Sequence, residues 1–288
     1  MKVWKKLALL AALGAVALGG IAFSVGSALV APRPGPVSLP ADLARAECIV
    51  FASRSGSQVH GWFVAGAPGS GAVLLLHGVD ATRLQMLDRA RWLSSEGYSV
   101  LFIDFQASGE SAGEHVTFGY LEARDAQAAV AWLTSRVPGE RIGVIGASMG
   151  GAAAVLADPP LAVDAMVLEE VYPTLVEAVD NRLAIRLGRL GLLLSPALTL
   201  QIRPRLGIST DDLRPITAVP RLHAPKLFIA GELDHHTTLA QSRALFEAAA
   251  EPKELWVVTG AGHLDLLKFA RAAYTERVGA FLASALRP

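Results

Sequence analysis

Ser148 stands in Gly146-Ala147-Ser148-Met149-Gly150, behind the apolar run Arg141-Ile142-Gly143-Val144-Ile145 and ahead of the small-residue run Gly151-Ala152-Ala153-Ala154-Val155-Leu156. That order predicts a strand, a sharp turn and a helix. A serine at such a turn is held in strained backbone geometry with its Oγ exposed, and flanking glycines let the turn close. The chemistry on offer is nucleophilic attack, which needs a base and an oxyanion site close by. In a chain rich in Gly and Ala the five-residue pattern also arises by chance, so it gains meaning only from partners supplied elsewhere.

The elements that would bring partners are regular from Cys48 onward. Cys48–Ser53 and Val59–Ala65 read as a hairpin, with Cys48 a small residue at a strand start. Ala72–Leu76, Ser99–Ile103, Arg141–Ile145, Ala165–Leu168, Lys226–Ala230 and Glu254–Val258 read as strands. Arg83–Glu96, Tyr120–Ser135, Leu239–Ala249 and Leu264–Leu286 read as helices between them. Such alternation argues for a parallel sheet covered on both faces. The uniformly apolar Val73-Leu74-Leu75-Leu76 and Val100-Leu101-Phe102-Ile103 fit strands buried on both sides. Ligands of such sheets sit beyond the carboxyl ends of the strands. His77-Gly78-Val79, Asp104-Phe105, Ser148, Glu169-Glu170, Asp234 and His263 all fall there.

From Pro173 to Pro225 the alternation lapses into a Leu- and Arg-rich stretch broken by Pro196, Pro204, Pro215 and Pro220. It reads as a helical insertion over the strand ends. Its Leu190–Leu194 and Leu198–Ile202 runs could line an apolar pocket, pack as a lid, or touch a membrane.

Taken in order, five features resemble the α/β-hydrolase family over roughly Glu47 to Ala283. They are His77-Gly78, the loop Asp104-Phe105-Gln106-Ala107-Ser108-Gly109-Glu110-Ser111, the serine turn, Gly231-Glu232-Leu233-Asp234, and Gly260-Ala261-Gly262-His263. The resemblance implies an eight-stranded, mostly parallel sheet with helices on both faces and a helical lid insertion at about 173–225. It implies roles as well: Ser148 as nucleophile, His263 as general base, Asp234 as the acid orienting it, and the backbone N–H groups of Val79 and Met149 as oxyanion donors. It implies no cofactor and no metal.

Each role has a rival. His263 could simply open a helix, and Asp234 could cap a turn. His235 and His236 beside Asp234 could belong to a metal cluster. Asp104, Glu169 or Glu170 could take the place of Asp234. His77 reads as a loop-structuring residue rather than a base. Gln106-Ala107-Ser108-Gly109 stands where many relatives carry Arg-Gly-His-Gly, a departure expected to bear on the pocket. The loop after His77-Gly78 lacks the Gly-Gly extension of many lipases and is more similar to small membrane-anchored or secreted bacterial hydrolases grouped with dienelactone hydrolase or peptidase-like relatives.

The implied activity is hydrolysis of a carboxylic ester, or else a thioester or amide, through an acyl-enzyme, with a small-molecule acyl substrate. A non-catalytic binding scaffold and an acyltransferase using the same triad are the alternatives.

The N-terminus differs in kind. Lys2, Lys5 and Lys6 precede an uncharged run from Leu7 to Ala31, and Pro32-Arg33-Pro34-Gly35-Pro36 ends it. Such a run exceeds the roughly 20 apolar residues a bilayer requires. Residues 1–31 are therefore expected as a signal-anchor with the lysines cytoplasmic and the hydrolase domain, 47–288, outside the cell membrane. A cleaved signal peptide, with Gly26-Ser27-Ala28 as the cleavage site and a secreted or periplasmic product, is the other reading. Residues 32–46 read as a stiff Pro-rich linker. The chain of 288 residues carries 26 basic and 26 acidic side chains, so bulk charge gives no support to nucleic-acid binding. Its single cysteine, Cys48, excludes an internal disulfide and a thiolate metal site.

Overall fold

The computed structural model describes residues 2–43 and 45–287. Eight strands form one sheet: β1 (Glu47–Ala52), β2 (Gln58–Val64), β3 (Ala72–Leu76), β4 (Ser99–Ile103), β5 (Ile142–Ala147), β6 (Ala165–Glu169), β7 (Lys226–Gly231) and β8 (Lys253–Val258). Their spatial order is β8-β7-β6-β5-β3-β4-β2-β1. The β1–β2 hairpin and the β2–β4 pair are antiparallel, and the other pairs are parallel. The chain steps from β3 to β4 on one side and returns to β5 on the other, so a crevice opens above β3 and β5, where open parallel sheets hold ligands.

Helices follow in chain order: α1 (Lys2–Val30), α2 (Leu87–Ser95), α3 (Tyr120–Arg136), α4 (Met149–Leu156), α5 (Leu175–Leu187), α6 (Ser195–Thr199), α7 (Ile202–Leu206), α8 (Pro215–Ala218), α9 (Leu239–Ala248), α10 (Leu266–Phe269) and α11 (Arg271–Leu286). The central strands divide their side chains by period two. Leu74, Leu76, Leu101 and Ile103 enter a core shared with α3, α4 and α9. Val73, Leu75, Val100 and Phe102 enter the opposite core with α2 and α11. Burial on both faces is why these strands carry no polar alternation.

Two expected helices are subdivided. The segment Arg83–Glu96 begins as a 3-10 turn over Arg83–Met86, capped by Thr82 and drawn toward Asp104 through Arg83. The last helix breaks at Ala270, whose φ of −126° and ψ of 48° fall outside the helical region and separate α10 from α11.

α1 carries an apolar stretch, Trp4–Val30, with mean hydropathy 2.2, long enough to cross a membrane by length and composition. Its far end is fixed to the domain. The Val116 N–H donates to the Val30 carbonyl at 2.9 Å. The stretch expected as a linker is laid along the domain: Arg33–Pro34 pairs in parallel with Ser108–Gly109, and Val37 is buried. Cys48 is exposed on the edge strand β1.

The insertion forms a cap of short helices. Thr174 caps α5, Gly188 at φ 65° ends it, and Gly207 at φ 70° ends α7, a left-handed conformation that glycine adopts freely.

Candidate active site

Ser148 lies on the turn between β5 and α4 with φ 49° and ψ −112°, a conformation that costs a non-glycine residue about 1–3 kcal/mol. The surroundings hold it there. Its N–H donates to the Glu169 carbonyl at 2.8 Å, and its own carbonyl accepts from Ala152 N–H at 2.9 Å. Helix α4 runs so close to β3 that a Cβ on Gly150 would stand 2.3 Å from the Leu76 carbonyl oxygen, so glycine is required there. The side chain is buried to 8% exposure.

Asp234 follows β7 and His263 follows β8. One Asp234 oxygen accepts from the backbone N–H groups of His236 and Thr237 at 2.7 and 2.9 Å. The other lies 2.8 Å from His263 Nδ1. A carboxylate oxygen accepts, so Nδ1 carries the proton and Nε2 is left as the basic nitrogen. The His236 ring is tilted against that of His263 with centroids 5.1 Å apart, while His235 is exposed.

His77 is fully buried after β3. The Phe105 N–H donates to its Nε2 at 3.0 Å, so Nδ1 bears the proton and donates to the Gly78 carbonyl at 2.7 Å. Burial holds the ring below the usual imidazole range, in keeping with a neutral tautomer. The planar peptide then points the Val79 N–H away from the bonded Gly78 carbonyl. Gln85 Oε1 accepts from Gly78 N–H at 2.7 Å and fixes the same loop. A Cβ on Gly78 would lie 3.6 Å from Ser148 Cβ, so this loop and the serine turn face each other.

The three alternative acids have separate fates. Asp104 is fully buried and ion-paired with Arg83, which also bonds Glu110 and stacks 4.2 Å over Trp62. Glu169 is clamped by Arg89 at 3.0 and 2.6 Å and by Tyr274. Neither reaches His263. Glu170, one residue on, turns to the other side at φ 53° and brings an oxygen 3.6 Å from His263 Nδ1. Burial, then the negative charges of Asp234 and Glu169, push its carboxyl up to about 9, so it is neutral at pH 7. Glu170, Asp234 and His263 could each offer a ligand atom within 4.8 Å of the others. Both Asp234 oxygens are engaged, one by the His236 and Thr237 N–H groups and the other by the His263 imidazole.

A cavity of about 180 Å³ adjoins the serine, with Ser148, Met149, Val79, Phe118, Tyr172 and Leu175 in its wall. The cap contributes Leu183 and Leu198, and α1 contributes Val25 and Leu29. Gln106 is absent from this wall. Its amide is tied to Glu122 Oε1 at 2.8 Å and to the His115 carbonyl at 2.7 Å, so the departure at this loop serves anchoring and leaves the pocket to other residues. Sequence reasoning left Glu170 unresolved from Glu169 and missed the α1 side chains. The alternation of side chains beyond β6 could have separated the two glutamates, whereas nothing in an apolar run marks which residues line a pocket.

Known proteins agree with this architecture. A family model described as "Serine aminopeptidase, S33" matches residues 67–183. An uncharacterized Mycobacterium tuberculosis protein is 34% identical over 242 residues, covering 81% of this chain and 78% of its own. The uncharacterized protein YqkD of Bacillus subtilis is 24% identical over 237 residues, with coverage of 81% and 78%. An esterase of Pyrococcus furiosus superposes with a TM-score of 0.73 at 24% identity, over 89% of this chain and 98% of its own. The chain belongs to the α/β-hydrolase superfamily.

Proposed function

We propose that this hydrolase is a serine carboxylesterase working through an acyl-enzyme. Ser148 Oγ attacks the ester carbonyl while His263 Nε2 takes its proton. The same imidazolium then protonates the departing alkoxide, and water drawn by His263 releases the acid. Asp234 keeps the imidazole in the required tautomer. The N–H groups of Val79 and Met149 receive the oxyanion, each contributing on the order of 3 kcal/mol in the transition state. No cofactor enters this scheme.

The observation that carries the reading is the Asp234–His263 hydrogen bond of 2.8 Å at the same carboxyl end of the parallel strands as a serine held at φ 49°. An aspartate with both oxygens spent on a loop and one imidazole nitrogen is arranged to orient that ring. Neither a helix-entry histidine nor a turn-capping aspartate needs the other. The lysines in the first turns of α1, Lys2, Lys5 and Lys6, support the further reading that the helix is a signal-anchor, with the hydrolase domain outside the cell membrane.

Replacing Ser148 with Ala tests the activity on a short-chain aryl ester. Turnover falls to background while the far-ultraviolet dichroism and melting temperature stay within error. Retained turnover in this variant would exclude Ser148 as the nucleophile.

A further inference from the structure

We infer that α1 is a permanent wall of the acyl pocket and that the cap rests on the bilayer α1 crosses, so that the substrate is an ester carrying one long acyl chain drawn from the membrane. The inference rests on the serine-hydrolase reading above and names its substrate class.

The first observation is the seam between α1 and the cap. Gln201 Nε2 donates to the Ala22 carbonyl at 3.0 Å, and Arg205 Nη2 donates to the Phe23 carbonyl at 2.8 Å with its guanidinium 4.3 Å from the Phe23 ring. A Cβ on Gly26 would collide with Gln201 Oε1 at 2.5 Å, so the two surfaces meet closely. Next to this seam, Val25 and Leu29 face the cavity that holds Ser148. Cleavage after Ala28 would remove Val25 and leave the serine pocket without that wall.

The second observation is what the seam leaves outside. Residues Trp4 to Ile21 precede it, and Trp4, Leu10, Leu13, Val16, Leu18 and Ile21 are exposed. Of these, the uncharged turns Leu7 to Ile21 span about 22 Å at about 1.5 Å per residue, most of the roughly 30 Å of a bilayer's hydrocarbon, with Lys5 and Lys6 left for the far headgroups. The domain must then sit where α1 leaves the membrane.

The cap surface beside that point has the matching composition. Leu187, Leu190, Leu193 and Leu200 are exposed at 55%, 77%, 77% and 76%. From Arg182 to Gly207 there are five arginines, of which Arg186, Arg189 and Arg203 are exposed, and no carboxylate. Leucines flanked by unopposed cations are what an interfacial segment presents to anionic headgroups. The segment Leu175–Leu206 is itself apolar enough to cross a membrane, but Leu175, Ala178 and Ile202 are buried in the domain and Gly188, Pro196 and Pro204 interrupt it. It therefore lies on the surface. A chain leaving the leaflet along α1 would pass Val25 and Leu29 to reach Ser148.

The test uses the full chain in phosphatidylglycerol-containing vesicles. The Val25→Trp variant, which fills the helix side of the cavity, lowers the ratio of kcat/KM for p-nitrophenyl laurate to that for p-nitrophenyl acetate at least tenfold. The triple variant Leu190→Glu, Leu193→Glu, Leu200→Glu lowers the ratio of turnover of a vesicle-embedded monoacylglycerol to that of dissolved acetate ester at least tenfold. N-terminal sequencing of the membrane fraction finds a start before Val25. An unchanged laurate-to-acetate ratio, an unchanged vesicle-to-solution ratio, or a mature start beyond Val25 each overturns the inference. A wild-type chain inert toward the acetate ester as well removes the hydrolase reading beneath it, an outcome distinct from any shift in these ratios.

Discussion

The strand-end platform and the cap are built on opposite principles. On the platform, polar atoms are spent on one another: Asp234 accepts three hydrogen bonds, His77 makes two, and Glu169 is gripped by Arg89 and Tyr274. Such satisfied networks hold a few side chains in one geometry, which is what proton transfer demands. The cap is held mainly by apolar packing, with Leu175, Ile202, Ile208 and Leu213 buried against Phe118, Tyr120 and Leu156, and it shows other leucines to the outside. It meets α1 through Gln201 and Arg205 on backbone carbonyls, and the strand-end loops through the Asn181 amide on the His236 carbonyl and Gln241. Precision is concentrated under the serine, and adaptability lies over it. Chemistry and substrate choice are therefore separable by mutation.

The largest effect on the platform comes from Asp234→Asn. The amide would present an N–H to His263 or force the other tautomer, and kcat falls about ten-thousand-fold with the fold intact. Steady-state kinetics on an aryl ester checks this. A loss below tenfold would mean that the neighbouring Glu170, and not Asp234, orients the imidazole.

Arg89→Met tests whether the platform's rigidity is structural. It strands the Glu169 carboxylate, buried to 2% exposure, and costs about 3–5 kcal/mol in urea unfolding. Turnover per folded molecule changes little, because Glu169 touches neither Ser148 Oγ nor His263.

Glu170→Gln gives the smallest change in rate. With the carboxyl neutral up to about pH 9, an amide is close to what is already there, and kcat at pH 7 stays within about threefold. Stability responds in a defined direction. Unfolded, the glutamate releases its proton near 4.5; folded, it holds it to about 9. Across that window the folded state carries the extra proton, so wild-type stability falls as pH rises. Urea midpoints at pH 6 and pH 8.5 should differ less in the glutamine variant than in the wild type.

The contrast also explains what could be read in the chain. Ser148, Asp234 and His263 each follow a strand and sit in a glycine-marked turn, a local signal that places them at the carboxyl end of the parallel strands. His77 was legible as a loop-structuring residue because it ends β3 in the same way. The roles of Glu169 and Glu170 were not. Adjacent residues diverge to opposite sides, and the partners that decide between them, Arg89 and His263, lie 80 residues before and 93 after. The docking of α1 was equally hidden. A run of Leu, Ala, Gly and Val carries one pattern whether it faces lipid or a cap, and only Gln201 and Arg205 distinguish the two. The Pro-rich stretch looked like a spacer because its pairing partner, Ser108–Gly109, stands far along the chain.

The central claim is that the strained turn and the Asp234–His263 pair make Ser148 a nucleophile. Treating the folded full chain with a fluorophosphonate probe and mapping the adduct by peptide mass spectrometry tests it most directly. The account predicts a single phosphonyl adduct on Ser148, lost on heat denaturation and slowed at least a hundredfold in Asp234→Asn. An unmodified Ser148 in properly folded protein, or an adduct that forms equally well after unfolding, would contradict it.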